Sequence, residues 1–212
     1  MEISAEEMLL REEFVKKAAS LFNRGYATGA AGNMSCITPD GNLIATPTGS
    51  SLGALDPLNL SKTDLEGNLI MGPKPTKEVK FHIALIKARP DVKAVVHLHS
   101  TYSTALSCLE DLDVKDVIKP FTPYVVMRMG KVGLVPYFKP GSAKLCDAVA
   151  KIAPNHKAIL LANHGPVVGG VDLNSAINNM EELEETCKLY FILHKDKFNI
   201  RYLSQTEIEE LL

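Results

Sequence analysis

Aromatic side chains are scarce in this 212-residue chain, which has no tryptophan and only 6% aromatic residues. Proteins that bind single-stranded nucleic acid commonly stack the bases on aromatic rings, so this scarcity argues against such a role. The formal net charge of −2 offers no global attraction for nucleic acid or for an anionic membrane. We therefore expect no nucleic-acid or membrane partner, and any anion must be bound by a local site.

Long apolar runs are also missing. No segment approaches the roughly 20 apolar residues that a helix needs to span a bilayer. The acidic N-terminal segment lacks the basic and apolar regions of a secretion signal. The four cysteines are widely spaced and form no C-x-x-C pair, which is typical of reduced core thiols. These features predict a cytoplasmic protein.

Helical and strand-like patterns alternate along the chain. Apolar spacing, turn residues and capping residues predict these elements. The predicted helices cover residues 3–24, 76–88, 101–109, 142–153 and 172–194. The predicted strands cover residues 34–38, 42–46, 94–98, 132–136, 157–162 and 167–168, with a further hairpin at 65–71. Residues 110–130 show no clear pattern. With no repeat or linker, the sequence predicts one α/β domain over residues 1–212, with helices on both faces of a mixed sheet.

Two histidines stand close together in Val95-Val96-His97-Leu98-His99-Ser100. In a strand, residues two apart point to the same face, so His97 and His99 are predicted to project side by side, about 7 Å apart at the backbone. Imidazoles at that spacing can converge on one zinc ion, with Zn–N distances of about 2.0–2.1 Å. Taken alone, the pair could equally be two polar residues on the solvated face of a half-buried strand.

A third histidine strengthens the metal hypothesis. His164 follows the apolar strand pattern in Asn163-His164-Gly165, at the carboxyl end of a predicted strand, where α/β folds often place ligand sites. Alone it could be an ordinary turn histidine. Three histidines with one open coordination position are typical of a catalytic zinc site, while a closed structural site has four protein ligands.

Glu78 lies at the start of a predicted helix, in Pro75-Thr76-Lys77-Glu78. An acid in the first turn could simply complement the helix dipole, or it could be a catalytic carboxylate. His82 lies one turn later and could join the site, although a hydrogen bond to a neighbour is the commoner outcome for a helical histidine. The remaining two histidines, His156 and His194, are in polar surroundings and are expected to be exposed.

Three segments could bind an anion. The first, Gly29 to Ser35, is a glycine-rich turn with Asn33 and Ser35 as donors, and the second is the hydroxyl-rich turn Thr46 to Ser51. The third is Thr76-Lys77 at a helix N-terminus, where free N–H groups favour phosphate. Each could equally be an ordinary turn or cap. None is a P-loop or a dinucleotide fingerprint.

In this order, these segments resemble the class II aldolase family, which includes fuculose-phosphate aldolases and ribulose-phosphate 4-epimerases. The resemblance covers about residues 7–195. It implies a three-layer α/β/α domain with a central mixed, largely antiparallel sheet. It also implies a homotetramer with each site between subunits. Five segments carry it: Gly32-Asn33-Met34-Ser35, Thr46-Pro47-Thr48-Gly49, Thr76-Lys77-Glu78, His97-Leu98-His99-Ser100 and Asn163-His164-Gly165.

The same resemblance implies roles for individual residues. Zn²⁺, one per subunit, would bind to His97, His99 and His164, and imidazole ligands would also accept Mn²⁺ or Co²⁺. Glu78 would be the acid/base and could also bind the metal when no substrate is present. The substrate phosphate would contact six residues: Asn33, Ser35, Thr48, Gly49, Thr76 and Lys77. Tyr124 is a candidate proton donor, and Tyr190 or Tyr202 could be donated by a neighbouring subunit.

Lys77 narrows the resemblance to one branch, because the aldolases usually have a small hydroxyl residue at this position. The segment Phe121 to Arg128 also resembles the same branch, the 3-oxo-tetronate 4-phosphate decarboxylases of sugar-acid catabolism. The implied reaction is decarboxylation to dihydroxyacetone phosphate and carbon dioxide through a metal-stabilised enediolate. The alternatives are a sugar-phosphate aldolase, a 4-epimerase, and a non-catalytic module like the adducin head domain, which is expected to lack the zinc histidines.

Overall fold

An eight-stranded sheet forms the centre of the molecule, a computed structural model that describes residues 3–196 and 199–212. The strands are β1 (Asn33–Ile37), β2 (Leu43–Ala45), β3 (Ser61–Thr63), β4 (Leu69–Met71), β5 (Ala94–His97), β6 (Val132–Val135), β7 (Ala158–Leu161) and β8 (Gly165–Gly170). They lie in the order β4-β3-β2-β1-β5-β8-β7-β6. Neighbouring strands are antiparallel except β6 and β7, which are parallel, so the sheet is mixed and largely antiparallel.

Helices connect and flank the strands. They are α1 (Ala5–Asn23), α2 (Val79–Ala88), α3 (Thr101–Ser107), α4 (Ala143–Ile152), α5 (Leu173–His194) and α6 (Gln205–Glu209). Serine or aspartate side chains cap several of them, including Ser4 on α1, Ser142 on α4 and Asp172 on α5. Across the described ranges, no helix combines the length and the apolar character that crossing a membrane requires.

The strands bury side chains on both faces of the sheet. Val95 and Val96 are adjacent in β5 and fully buried, yet they belong to two separate apolar clusters. Helices α1, α3 and α5 contribute to the cluster that contains Val96, and α2 and α4 to the cluster that contains Val95. A strand that is covered on both sides has consecutive apolar residues, as Ala94, Val95 and Val96 show. The predicted three-layer α/β/α architecture is confirmed.

Several predicted boundaries need correction. Helix α2 begins at Val79, so Glu78 occupies its N-cap position and lies outside its first turn. The predicted hairpin at 65–71 is misplaced along the chain. Its first strand is Ser61–Thr63, and residues 64–68 form the turn. Strand β5 ends at His97, so His99 lies beyond the strand and strand alternation does not bring it beside His97. Residues 125–129, which had no predicted element, form a short π-helix.

Strands β5 and β8 bring two distant parts of the chain into contact. His97 pairs with Val167 in the antiparallel register, and the backbone N–H of Leu98 donates to the carbonyl of Pro166 at 3.3 Å. Gly165 passes so close to this segment that a Cβ placed on it would lie 2.5 Å from the carbonyl oxygen of Leu98. Its φ of +150° is also unfavourable for other residues. Glycine is therefore required where β8 begins.

We expect Gly165→Ala to lower the free energy of unfolding by about 2 to 5 kcal/mol, from backbone strain and steric overlap together. The matched control is Gly41→Ala, since Gly41 also has a positive φ (+80°) but a Cβ placed on it would have no atom within 4 Å. That control should lose only about 1 to 2 kcal/mol. Urea unfolding monitored by circular dichroism measures both values. Equal losses in the two variants would contradict the close approach at Gly165.

Candidate metal centre and active site

The three predicted histidines meet at one point of the structure. His97 is the last residue of β5, His99 precedes α3, and His164 lies in the turn between β7 and β8. One ring nitrogen from each lies within 4.8 Å of the others. Asn163, directly before His164, has a φ of +54°, a conformation that asparagine tolerates better than most residues. Within the described ranges, this is the one group of three or more His, Cys, Asp or Glu side chains close enough to hold a metal ion.

His97 is held in a fixed orientation. Its ring is fully buried, and Nδ1 lies 2.7 Å from the carbonyl oxygen of Pro166. Since a carbonyl can only accept, Nδ1 carries the proton and donates it to Pro166. Nε2 then has a free lone pair, and it has no hydrogen-bond partner among the described residues. Such a bond from the second ring nitrogen is the usual way in which a metal-binding histidine is oriented.

The carboxylate of Glu78 faces the histidines. Its Oε2 accepts a hydrogen bond from Asn33 Nδ2 at 2.9 Å and lies 3.5 Å from His97 Nε2. Its Oε1 lies 3.4 Å from His164 Nε2 and is buried without a hydrogen-bond partner in the described part of the chain. A buried carboxylate oxygen without a partner is costly unless a cation or a proton satisfies it. These atoms therefore fit a divalent cation.

The protonation of the histidines also suits a metal. Burial lowers the pKa of His97 well below its usual value, and the neighbouring His164 and His99 lower it further. Burial is likewise the main cause of the lowered pKa values of His99 and His164, against which the Glu78 carboxylate acts. The rings are thus neutral at neutral pH, and neutral imidazole is the form that binds metals.

A cavity of about 460 Å³ opens beside this cluster. It is lined by Ala30, Ala31, Gly32, Asn33, Pro47, Thr48, Gly49, Ser50, Thr76, Lys77, Glu78, His99, Pro140 and His164. The backbone N–H groups of Ala30 and Gly49 donate to no other described residue and remain available to a ligand. Donors, one ammonium group and the histidine cluster thus share one cavity, which has the size of a small-molecule site.

Most predicted site residues come together here, but Ser35, Tyr124 and the candidate tyrosines Tyr190 and Tyr202 do not. Asn33, Thr48, Gly49, Thr76 and Lys77 line the cavity beside the histidines and Glu78. The prediction that Ser35 contacts the phosphate is wrong for this structure, because its side chain is fully buried and its hydroxyl pairs with His82 Nδ1 at 2.8 Å. Tyr124 is 54% exposed and does not line the cavity of its own chain.

The other histidines have structural surroundings. His82 is buried in α2 and hydrogen-bonded to Ser35, and burial lowers its pKa to about 3. The expectation that His156 is exposed is wrong, because its two ring nitrogens lie 3.0 and 2.8 Å from the carbonyl oxygens of Ile152 and Lys115. His194 is exposed as expected.

Six residues that line the cavity were not predicted individually as site residues, and five of them lie in the two predicted anion-binding turns. Ser50 lies in the hydroxyl-rich turn, and that turn pattern could have identified it. Pro140 comes from the loop before α4, far away in the sequence, and nothing in its local pattern indicated the cavity.

Two proteins of known name are similar to this chain over most of its length. A 3-oxo-tetronate 4-phosphate decarboxylase of Escherichia coli is 61% identical over 205 residues, covering 97% of this chain and 96% of that protein. An L-fuculose phosphate aldolase of Methanococcus maripaludis is 39% identical over 186 residues, covering 87% of this chain and 98% of that protein.

A solved structure and a family model agree with these relatives. The crystal structure of an Escherichia coli protein described as an aldolase, epimerase or decarboxylase superposes with a TM-score of 0.94 at 60% identity, covering 97% of this chain and 98% of that one. The model of the family described as "Class II Aldolase and Adducin N-terminal domain" matches residues 12–191. The match includes all three histidines and Glu78, and the chain belongs to this family of class II aldolases and adducin N-terminal domains.

Proposed function

We propose that this protein is a zinc-dependent 3-oxo-tetronate 4-phosphate decarboxylase. One observation carries the proposal: three imidazoles and one buried carboxylate meet beside a cavity that also presents anion donors and a lysine. A non-catalytic module has no need for such a cluster, because unpaired buried polar groups destabilise a fold. The retention of His97, His99, His164 and Glu78 together favours an enzyme.

The three histidines would hold the metal, and Glu78 would join them when no substrate is bound. When bound, a divalent metal supplies Lewis-acid stabilisation of the negative charge that develops on the substrate carbonyl oxygen. We propose Zn²⁺ because an all-imidazole set suits it, although Mn²⁺ and Co²⁺ accept the same ligands.

Glu78 is proposed to handle the proton. Loss of carbon dioxide breaks the bond between the carboxyl carbon and the neighbouring hydroxyl-bearing carbon, and the electron pair stays on the substrate as an enediolate. One proton must then reach that carbon to give dihydroxyacetone phosphate. Asn33 fixes the carboxylate through Oε2, and Oε1 is left free on the histidine side, where it can pass a proton from solvent to the carbon.

The phosphate is proposed to bind in the donor-rich part of the cavity, between Asn33, Thr48, Gly49 and Thr76. The Thr76 hydroxyl accepts from the backbone N–H of Glu78 at 3.3 Å, which leaves its own proton available to a phosphate oxygen. Lys77 is proposed to neutralise the phosphate. A cation bound tightly to the carboxylate would stabilise the ground state and slow the loss of carbon dioxide.

Decarboxylation is favoured over aldol cleavage by the relatives. The decarboxylase named above is 61% identical and the aldolase 39%, both over most of their lengths. Both reactions leave an enediolate and need the same acid/base, so the site geometry alone accommodates either. Aldol cleavage of a sugar phosphate is therefore the second candidate function, and it breaks a bond to an aldehyde carbon.

We further propose that the chain, residues 1–212, forms one domain and that four copies assemble with their sites between subunits. Tyr124 supports this arrangement, because it is exposed and outside the cavity of its own chain. It could act as a proton donor only from a neighbouring subunit.

The reaction itself is the first test. Zinc-loaded protein incubated with 3-oxo-tetronate 4-phosphate should release equal amounts of carbon dioxide and dihydroxyacetone phosphate, measured by a coupled carbonate assay and by enzymatic reduction of the ketone. Fuculose 1-phosphate serves as the parallel substrate. Cleavage of the sugar phosphate without release of carbon dioxide from the acid would replace the decarboxylase proposal with the aldolase one.

The metal site is tested by His97→Ala. This change removes a buried ligand, so bound zinc should fall far below one ion per chain and turnover by at least about 100-fold. Zinc is measured by atomic emission after dialysis. The matched control is His194→Ala, which removes an exposed histidine of α5 and should retain zinc. Stoichiometric zinc and full activity in the His97 variant would rule out the proposed ligand set.

The acid/base role is tested by Glu78→Gln, which keeps the shape and the bond to Asn33 but cannot exchange a proton. We expect an unchanged circular dichroism spectrum and a turnover about 100- to 10,000-fold lower. Glu66→Gln is the control, because Glu66 is an exposed carboxylate paired with Lys87. Normal turnover of the Glu78 variant would remove this residue from the mechanism.

A further inference from the structure

Helix α3 lies between two of the three histidines. Its N-terminus follows directly on His99 and Ser100. At its other end, the carbonyl of Ser107 accepts a hydrogen bond from the backbone N–H of Asn163 at 3.0 Å, one residue before His164. Any shift of α3 would therefore move the chain at His99 and at His164 together.

The position of the His99 ring depends on this backbone more than the position of the His97 ring does. The ring of His97 is oriented by its bond to Pro166, whereas no side-chain hydrogen bond to the ring of His99 is present within the described ranges. His99 is also exposed, so packing does not hold it on all sides. Its ring position is thus set by the backbone where β5 leads into α3.

A carboxylate from another helix fixes this backbone. Glu184 of α5 accepts from the backbone N–H of Tyr102 at 2.7 Å and from that of Ser103 at 2.9 Å. It also accepts from the hydroxyl of Ser103 at 2.6 Å. These N–H groups belong to the first turn of α3, which lacks acceptors within the helix. The carboxylate also complements the positive end of the helix dipole.

The position of Glu184 is itself rigid. Its neighbours Leu183 and Cys187 are fully buried, in a helix of 22 residues. The N-cap residue Ser100 makes no capping bond to its own helix, and its hydroxyl pairs with that of Ser103 at 2.8 Å. Glu184 therefore caps α3. The hydroxyl of Ser103 links this carboxylate to Ser100, which is next to His99 in the chain.

We propose that Glu184 is a positioning residue for the three-histidine site. By capping α3, it holds His99 and His164 at the separation that a metal ion requires. This role rests on the metal site of the proposed function, but not on which carbon–carbon bond is broken.

The test compares Glu184→Gln with Glu185→Gln. The first change leaves only one acceptor oxygen for three donors, whereas Glu185 is exposed and pairs with Lys188 on the surface. We expect the zinc dissociation constant, measured by competition with a chromogenic chelator, to rise about 10- to 100-fold in the first variant and to stay unchanged in the second. The visible absorption of the Co²⁺-loaded protein, which reports the coordination geometry, should change only in Glu184→Gln.

The proposed positioning role of Glu184 can be overturned in the following ways. If Glu184→Gln lowers thermal stability but leaves zinc affinity and the Co²⁺ spectrum as in Glu185→Gln, the residue is only structural and the proposal is overturned. If Glu184→Gln does not fold, Ser103→Ala replaces it, since it removes one of the three bonds. Weakened zinc binding there supports the proposal, and wild-type affinity overturns it. Failure of the wild-type protein to release carbon dioxide would reject the decarboxylase proposal and leave the difference in zinc affinity intact.

Discussion

The antiparallel pairing of β5 with β8 is the constraint on which the site depends. It places the carbonyl of Pro166 where it accepts from both the backbone of Leu98 and the ring of His97. A shift of the register by one residue would turn His97 to the opposite face of the sheet. Gly165 makes the pairing specific, because a larger residue there would collide with the backbone of Leu98. His164 directly precedes β8, so this register helps to place two of the three histidines of the proposed metal site.

Glu78 and Glu184 are both buried, but their carboxylates accept different numbers of hydrogen bonds. Both oxygens of Glu184 accept hydrogen bonds, from three donors of α3 in total. Glu78 has a single donor, Asn33, and one oxygen without a partner among the described residues. A fully satisfied carboxylate is held in place and stabilises the fold, whereas a partly satisfied one is ready for a cation or a proton. The free oxygen therefore supports the proposed acid/base role of Glu78.

The sequence predicted most of the architecture because the relevant signals are local. Apolar runs and capping residues such as Asp172 mark the ends of α5 and the buried strands. The errors arise where non-local contacts decide. The glycine-rich turn offered Ser35 as a donor together with Asn33, but Ser35 is buried and has His82 of α2 as its partner. His156 lies in a polar segment, yet its ring is enclosed by backbone carbonyls from two segments. A π-helix has no apolar period that would reveal residues 125–129.

The three histidines of the cluster differ in their access to the cavity. His97 is fully buried and does not line the cavity, whereas His99 and His164 do. The cavity is therefore lined by His99, His164 and Glu78, with His97 behind them. The backbone at His99 and His164 adjoins α3, that of Glu78 adjoins α2, and His97 lies in the sheet. In the proposed site, the contacts of α3 would therefore adjust His99 and His164, whereas the β5–β8 register and the bond to Pro166 hold His97 in place.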